Sequence, residues 1–394
     1  MSYYLLPNIL TKPKSEDFLL EFDNNKSKEP IINNSLQLYL SSVKQEINNC
    51  ITQWDIYKKY TNPYEYIHTN IPGSRTAICK YKPLSRSYFK MIEILRSLYI
   101  LDSLPDTPIQ TFHLAEGPGG FIEAICNSRN NPDDIYYGMT LISEKDYVPG
   151  WKKSQEYLQN NPNIILEYGE DKTGNILNPE NLKFCYERYA NSMELMTGDG
   201  GFDFSVNFND QEVTASRLIF AQIVYTILLQ KKDGNFVIKF FDIFTPISVD
   251  FTHLLSSFYK KVYVIKPNTS RYANSERYLV CKGFKFSDTS YLFDTFYSML
   301  QQLDTNKDGF VYRILNKNIP YFFITRLEEY NAIIGQQQIE IINNTLNMVR
   351  NTTKIEKIEN LKKININRCI QWCIKNKQQY NKSTPQANIF LPNP

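Results

Sequence analysis

The chain has 394 residues, a length that fits one large domain with extensions or two domains. Its net charge of +3 is too small to indicate a nucleic-acid-binding protein by itself, so any basic surface must be local. No apolar run approaches the about 18 residues of a membrane-spanning helix. Seven cysteines without a Cys-x-x-Cys pair favour a reduced, intracellular protein, and three histidines argue against a His-rich metal site.

The N-terminal residues contain no positively charged segment followed by an apolar one, so we expect no signal peptide. Residues 1–34 are polar and mixed, which predicts an extension with little structure of its own. The apolar spacing across residues 35–60 then favours a helix.

The segment from residue 57 to residue 90 is basic and rich in tyrosine. Seven Lys or Arg residues face a single acid, Glu65, and six tyrosines lie among them. Such a segment suits single-stranded nucleic acid, because the charges attract phosphates and the rings stack on bases. The alternative is a solvated basic face with tyrosines half in the core.

Strand and helix patterns alternate from residue 85 to residue 286. Helices are predicted at 85–100, 121–127, 212–231 and 248–259. Strands are predicted at 111–115, 135–141, 163–168, 195–197, 234–241, 261–267 and 276–282. This alternation predicts a mainly parallel sheet with helices on both faces. Residues 327–348 and 355–375 are predicted helices, and Cys369 and Cys373 suit a packed helix better than a metal site.

Charged residues stand at the ends of three predicted strands. Asp199 ends a short apolar strand, and in open α/β sheets ligands bind at that edge. Lys239 interrupts the apolar strand 236–241, which is costly unless the lysine is paired or neutral. Glu276 begins a later strand. These residues predict either an acid/base cluster or a structural ion pair.

The turn Gly117-Pro-Gly-Gly120 links a strand to a helix and allows a ligand to approach the backbone. Ile122 occupies the sixth position of G-x-G-x-x-G, and no Gly-Lys-Ser/Thr follows, so the turn favours neither a dinucleotide nor ATP. It also suits S-adenosylmethionine, whose ammonium group Glu116 could bind. A plain loop is the alternative.

Five segments, at 115–121, 138–141, 198–202, 238–246 and 270–283, carry a family resemblance. They include Ala-Glu-Gly-Pro-Gly-Gly-Phe, Lys-Phe-Phe-Asp-Ile-Phe-Thr-Pro and Ser-Arg-Tyr-Ala-Asn-Ser-Glu-Arg-Tyr. Together they resemble the FtsJ/RrmJ-like ribose 2′-O-methyltransferases, most closely the cap-1 enzymes of eukaryotes and large DNA viruses. The resemblance covers roughly residues 70–285.

The resemblance implies a Rossmann-like methyltransferase fold with a seven-stranded, mostly parallel sheet and helical N- and C-terminal extensions. The domain boundaries it suggests are 1–69, 70–286 and 287–394. It also implies a catalytic tetrad of Lys90, Asp199, Lys239 and Glu276, with Lys239 as the base and no metal.

The implied cofactor is S-adenosylmethionine. The implied cofactor-binding residues are Ser85, Ala115, Glu116, Gly117, Pro118, Gly119, Gly120, Phe121 and Asn175, the last standing where relatives often carry Asp. The implied RNA-binding residues are Asn209, Asp210, Gln211 and Asn274, to which the basic segment adds Lys80 and Lys82.

The implied reaction is methyl transfer to the ribose 2′-OH of the first transcribed nucleotide of capped mRNA. Two alternatives are a 2′-O-methyltransferase of rRNA or tRNA and a non-catalytic RNA-binding subunit of a capping complex. Other capping enzymes are candidate partners, and no membrane is expected. A viral protein would act in the host cytoplasm or the virion, a cellular one in the nucleus.

Overall fold

The computed structural model of the chain describes residues 2–143, 148–201, 211–351 and 355–381. These residues form two compact units. The first contains the described residues of Met1–Asn49 and Leu84–Asn343, and the second contains those of Cys50–Pro83 and Asn344–Pro394. The chain therefore leaves the first unit after residue 49, returns to it at residue 84 and leaves it again after residue 343. The predicted domain boundaries at 70 and 286 stay predictions. None of the described helices is both long enough and apolar enough to cross a membrane.

The described residues form ten strands. They are β1 Ser2–Leu5, β2 Phe18–Phe22, β3 Gln110–Leu114, β4 Ile135–Met139, β5 Ile164–Glu167, β6 Met193–Gly198, β7 Gln230–Phe240, β8 Tyr259–Lys266, β9 Arg277–Phe284 and β10 Val311–Leu315.

The α-helices of the same residues number twelve. They are α1 Asn34–Asn48, α2 Ile51–Thr61, α3 Ser87–Ser97, α4 Gly120–Arg129, α5 Gln155–Asn160, α6 Pro179–Tyr189, α7 Gln211–Thr214, α8 Ser216–Leu229, α9 Pro246–Phe258, α10 Phe293–Thr305, α11 Tyr321–Arg350 and α12 Ile355–Lys375.

Eight strands form one sheet in the order β1-β8-β9-β7-β6-β3-β4-β5. The five strands from β7 to β5 are parallel, whereas β9 runs antiparallel between β7 and β8. All seven predicted strands are present, so the predicted α/β class and mostly parallel sheet are confirmed. Phe236, Val237 and Ile238 of β7 are completely buried, as expected for a strand covered on both faces.

The N-terminal residues have more structure than predicted. Strand β1 pairs antiparallel with β8 and adds an eighth strand to the sheet, and β2 pairs with β10 in a separate two-stranded sheet. The prediction of a largely unstructured extension over residues 1–34 is therefore wrong. Both strands are short and find their partners far along the chain, so no local pattern indicates them.

The strand register brings several strand ends to one edge of the sheet. Leu114 at the end of β3 pairs with Gly198 at the end of β6, and Gly198 pairs with Ile238 near the end of β7. Because β9 is antiparallel to β7, its first residue, Arg277, pairs with Phe240. The residues that follow β3, β6 and β7 and those that precede β9 therefore meet at this edge.

The second unit is built mainly from α2 and α12. Its core contains Trp54, Ile78 and Trp372. Cys369 and Cys373 are also buried, which confirms the predicted packed helix. An isolated antiparallel β-bridge between the backbones of Cys79 and Tyr380 joins the two chain segments of this unit. No cluster of three or more His, Cys, Asp or Glu residues suited to a metal ion occurs in the described part of the chain.

Candidate functional site

Lys239 and Asp199 form a pair at the carboxyl edge of the sheet. Asp199 follows β6 directly, and Lys239 is the second-last residue of β7, the neighbouring parallel strand. The Lys239 Nζ atom donates a hydrogen bond to the main-chain oxygen of Asp199 at 2.6 Å and lies 3.2 Å from Asp199 Oδ1. The lysine is thus held at two points of one residue, and the carboxylate compensates its charge.

Lys90 and Glu276 form a second lysine–carboxylate pair. Lys90 projects from α3 and is only 7% exposed. Its Nζ atom lies 2.7 Å from Glu276 Oε1 and 2.9 Å from Oε2. Ser270 Oγ and Tyr278 OH also donate to Oε1, at 3.0 and 3.2 Å. The Glu276 carboxylate is therefore fixed by three side chains.

The charges of the two pairs influence one another. Burial lowers the pKa of Lys90, and the Glu276 and Asp199 carboxylates counter part of that effect. Burial alone would raise the pKa of Glu276, but the ammonium groups of Lys90 and Lys239 hold it well below its usual range. All four residues of the predicted tetrad are thus brought together as one electrostatic cluster.

Glu116 lies beside this cluster in the turn after β3. Its Oε1 atom accepts hydrogen bonds from the backbone N–H groups of Phe121 and Ile122 in the first turn of α4. Its Oε2 atom is buried and accepts no hydrogen bond from the described residues. Burial and the charge of Asp199 raise the pKa of Glu116 well above its usual range. A positively charged ligand group at Oε2 would donate to this oxygen and favour the ionised form of Glu116.

The glycines of the turn allow a close approach of backbone segments. A Cβ atom on Gly117 would lie 2.7 Å from the main-chain oxygen of Gly150, and one on Gly120 would lie 2.2 Å from both Ser85 Oγ and Ser87 Oγ. Gly119 precedes α4 with φ +104°, a conformation that favours glycine. Each glycine therefore has a steric or conformational reason to be one.

A cavity of about 750 Å³ opens beside the turn and reaches the cluster of lysines and carboxylates. Its lining includes the predicted residues Lys90, Asp199 and Lys239 of the tetrad and Ser85, Ala115, Gly117, Pro118 and Asn175 of the cofactor set. Glu116, Gly119, Gly120 and Phe121 are not part of that lining; they build the turn behind it. Glu276 acts on the cavity through Lys90.

The predicted RNA-binding residues fall in three places. Asn209 and Asp210 lie outside the described residues. Gln211 Oε1 accepts a hydrogen bond from Ser275 Oγ at 3.0 Å, and Asn274 Oδ1 accepts one from Lys266 Nζ at 2.7 Å, so both belong to the surroundings of Glu276. Lys80 and Lys82 are exposed in the second unit.

Lys266, at the end of β8, is a residue of the site that the sequence reasoning missed. It is 3% exposed, and its Nζ atom donates to the main-chain oxygens of Asn274 and Glu276 at 2.5 and 2.6 Å. A lysine that closes an apolar strand was the available signal, the same one that indicated Lys239. The cavity residues Arg86, Thr140 and Pro149 were also missed; of these, Thr140 lies within the resemblance segment 138–141.

Taken together, the mostly parallel α/β sheet, the turn and cavity at its carboxyl edge, and the Lys and carboxylate cluster define a Rossmann-like methyltransferase. Residues 83–284, about half of the chain, match the family described as FtsJ-like methyltransferase. The chain belongs to this family.

Several curated proteins are similar to the chain. "Cap-specific mRNA (nucleoside-2'-O-)-methyltransferase 1A" of Caenorhabditis briggsae is 29% identical over 67% of the chain and 31% of its own length. The proteins called "Cap-specific mRNA (nucleoside-2'-O-)-methyltransferase 1" in Dictyostelium discoideum and Drosophila melanogaster are 28% and 30% identical over 72% and 71% of the chain. The matches span 39% and 36% of those two proteins, so the chain corresponds to a minor part of each relative.

FtsJ-like methyltransferases use S-adenosylmethionine as the cofactor. The site fits this group. The buried Oε2 atom of Glu116, which accepts no hydrogen bond from the described residues, is an acceptor that an ammonium group would satisfy, and Gly117 and Pro118 of the same turn line the cavity. Asn175 Oδ1 accepts a hydrogen bond from Leu177 N at 3.1 Å, which leaves the side-chain NH₂ group of Asn175 as the donor that could serve an adenine.

Proposed function

We propose that this chain methylates the ribose 2′-OH of the first transcribed nucleotide of capped mRNA, converting cap-0 to cap-1 ends. The observation that carries this proposal is the pairing of two lysines with two carboxylates beside the cofactor cavity: the partly buried Lys239 with Asp199, and the buried Lys90 with Glu276. The family resemblance implies the same four residues as a catalytic tetrad. The names of the similar proteins, which refer to cap-specific mRNA, support the choice of substrate.

Lys239 is the candidate general base. A ribose hydroxyl is a weak acid, so transfer requires a group that accepts its proton as the new C–O bond forms. The Nζ atom of Lys239 borders the cavity, and its contacts to Asp199 fix its position. To accept the proton, the lysine must enter the step as a neutral amine. S-adenosylmethionine, when bound, supplies an electrophilic methyl group.

Lys90 and Glu276 position the acceptor and balance charge. The ammonium group of Lys90 is directed by both carboxylate oxygens of Glu276 and also borders the cavity. It can donate a hydrogen bond to a ribose oxygen without a change in its own position. A preorganised donor of this kind favours negative charge that develops on the acceptor oxygen. Most of the acceleration then comes from alignment of the reacting groups.

The test is a methyl-transfer assay on RNAs of one sequence that carry either a cap-0 end, a cap-1 end or no cap. The proposal predicts transfer to cap-0 RNA and none to cap-1 RNA, because the first 2′-OH of the latter is already methylated. Nucleoside analysis of the product must find the methyl group on the first nucleotide. Equal transfer to uncapped RNA would instead indicate a 2′-O-methyltransferase of another RNA, such as rRNA or tRNA.

A second candidate function is a non-catalytic RNA-binding subunit of a capping complex. One similar protein, of Caenorhabditis briggsae, is called "Inactive cap-specific mRNA (nucleoside-2'-O-)-methyltransferase 1B" and is 27% identical over 67% of the chain and 29% of its own length. The four paired groups of this chain argue for activity, because a binding subunit has no need of a positioned base. RNA binding without transfer to any of the three RNAs would favour the second candidate.

A further inference from the structure

The charge of the chain is divided unequally between its two units. Cys50–Pro83 and Asn344–Pro394 together contain 14 Lys or Arg residues and 4 Asp or Glu residues, a net charge of +10. The rest of the chain contains 30 basic and 37 acidic residues, a net charge of −7. The small overall charge of +3 therefore conceals a strongly basic unit attached to an acidic one.

Few of the basic side chains in the second unit are neutralised. Lys58 pairs with Asp55, and Lys362 pairs with Glu359. Nine others are exposed and form no ion pair with any described residue; we call them the basic face. The basic face comprises Lys59, Arg75, Lys80, Lys82, Lys357, Lys363, Arg368, Lys375 and Lys377.

The fold gathers these residues from two segments that are far apart in sequence. Lys357, Arg368 and Lys375 are spaced by 11 and 7 residues along α12, so they share one face of that helix. Lys80 N donates a hydrogen bond to Gln379 O at 2.9 Å, next to the bridge between Cys79 and Tyr380. The first segment is thereby joined to the chain that follows α12.

Tyrosines accompany the basic face. Tyr81 lies between Lys80 and Lys82 and is 37% exposed. Tyr57 and Tyr60 on α2 are half-buried, with ring centroids 6.5 Å apart. Single-stranded nucleic acid is bound by this combination of cations for phosphates and rings for bases. Of the six tyrosines in the basic segment, Tyr66 and Tyr88 are buried and have no such role.

We propose that the basic face of the second unit binds the single-stranded RNA substrate through its phosphates. The identity of that RNA rests on the proposed function. A membrane surface is the less suitable partner, because the apolar stripe of α12, which includes Ile366 and Trp372, is already buried. The exposed isoleucines of this helix, Ile355, Ile364 and Ile374, are nine and ten residues apart and therefore do not share one face for a bilayer. An acidic first unit with a net charge of −7 needs such an attachment to attract a polyanion.

The experiment measures binding of a labelled, uncapped RNA of about ten nucleotides, without cofactor, over a range of salt concentrations. The variant carries Lys80→Glu, Lys82→Glu, Arg368→Glu and Lys375→Glu. Each phosphate contact contributes about 0.7 to the slope of log affinity against log salt for single strands, so the slope should fall by roughly two to three. Affinity near 0.1 M salt should fall by at least about tenfold.

The matched control reverses Lys183 and Lys232, two exposed lysines of the first unit, to Glu. It should change RNA affinity by less than a factor of about two, and both variants should keep the unfolding temperature and cofactor affinity of the wild type. An unchanged salt slope in the fourfold variant, or an equal loss in the control, would overturn the proposal. So would binding to vesicles that contain phosphatidylserine without any binding to RNA.

Transfer to cap-0 RNA separates this inference from the proposed function. If the basic face binds RNA, the fourfold variant should raise KM for RNA with little change in kcat. Unchanged KM together with normal transfer would leave the proposed function intact and remove the basic face from RNA binding. Salt-sensitive RNA binding without any methyl transfer by the wild type would support RNA binding by the basic face and contradict the proposed function.

Discussion

Gly201 packs against the side chain of Lys239 so closely that a Cβ atom on residue 201 would lie 2.9 Å from Lys239 Nζ and 3.1 Å from Cε. A side chain at position 201 would therefore displace the candidate base. Gly201→Ala should lower methyl transfer about 10–100-fold, because small misplacements of reacting groups have effects of that size. Cofactor affinity should change by less than a factor of about three.

Gly200 offers a matched control for this substitution. A Cβ atom there would meet Gln222 Nε2 and Leu218 Cδ2, each at 2.8 Å, and not the lysine. Gly200→Ala should therefore lower kcat less than Gly201→Ala does. Equal loss in the two variants would mean that the segment after β6 responds to any added side chain, and that the contact with Lys239 has no special weight.

Removal of the candidate base is the more severe change. Lys239→Ala should reduce transfer by about 10²–10⁴-fold, the usual contribution of a general base, with nearly unchanged cofactor affinity. Turnover and cofactor binding are measured separately. Lys261→Ala, at an exposed lysine on β8, is the control and should behave as the wild type. Retention of more than about a tenth of the wild-type rate by the Lys239 variant would contradict the assignment.

Two glycines of the cofactor turn are required for different reasons, steric contact at Gly117 and backbone conformation at Gly119. Gly117→Ala should weaken cofactor binding, because its Cβ atom would meet Gly150 O at 2.7 Å and push apart two segments that line the cavity. Gly119→Val should weaken it through backbone strain at φ +104°, since a Cβ atom there would have only ordinary contacts, 3.4 Å from Trp151 and 3.6 Å from Leu84.

Calorimetric titration with S-adenosylmethionine measures both effects. Gly73→Val is the control for strain alone, because Gly73 has φ +83° and no atom within 4 Å of the position of a Cβ. That variant should lose some stability and keep its cofactor affinity. Unchanged affinity in both turn variants would remove residues 115–121 from the cofactor site.

Lys266 provides a test of how Glu276 is held. Lys266→Met would remove the donor to the part-buried main-chain oxygens of Asn274 and Glu276, at a cost of about 1–3 kcal/mol in stability. It would also remove a positive charge that helps to lower the pKa of Glu276. We therefore expect lower kcat and an acid limb of the pH–rate profile that moves to higher pH. Thermal unfolding and the pH profile are the measurements.

A purely structural role for Lys266 would give a different result. The variant would then unfold at lower temperature but keep the pH profile of the wild type at temperatures where it is folded. Lys266→Arg retains the charge and should keep the acid limb in place even if packing suffers. A shift of the acid limb in the Met variant alone would identify Lys266 as a positioning residue for Glu276.

Sequence patterns predicted the sheet and the positions of Asp199 and Lys239 at its edge because both are local signals. An apolar strand that stops at Asp199 and another interrupted by Lys239 each place a charged side chain at the edge where ligands bind. Strands β1, β2 and β10 were not predicted, since four or five residues acquire strand structure only through distant partners. Of the basic face, the sequence indicates only the part within residues 57–90, because residues 75–82 and α12 are joined only by the fold.

Glu116 should couple cofactor binding to proton release. Its pKa is raised by burial and by the charge of Asp199, so the free site favours the protonated carboxyl over a wider pH range than usual. A bound ammonium group favours the carboxylate, and binding should therefore expel a proton. Affinity for S-adenosylmethionine should therefore rise with pH up to the raised pKa of Glu116 and level off above it.

Calorimetry in two buffers of different ionisation enthalpy, such as phosphate and Tris at one pH, detects the released proton as a difference between the apparent binding enthalpies. Glu116→Gln keeps an acceptor for the N–H groups of Phe121 and Ile122 but cannot ionise. It should abolish both the buffer dependence and the rise of affinity with pH. If the wild type shows no difference between the two buffers, or if the Gln variant keeps it, another group receives the ammonium and Glu116 serves only the first turn of α4.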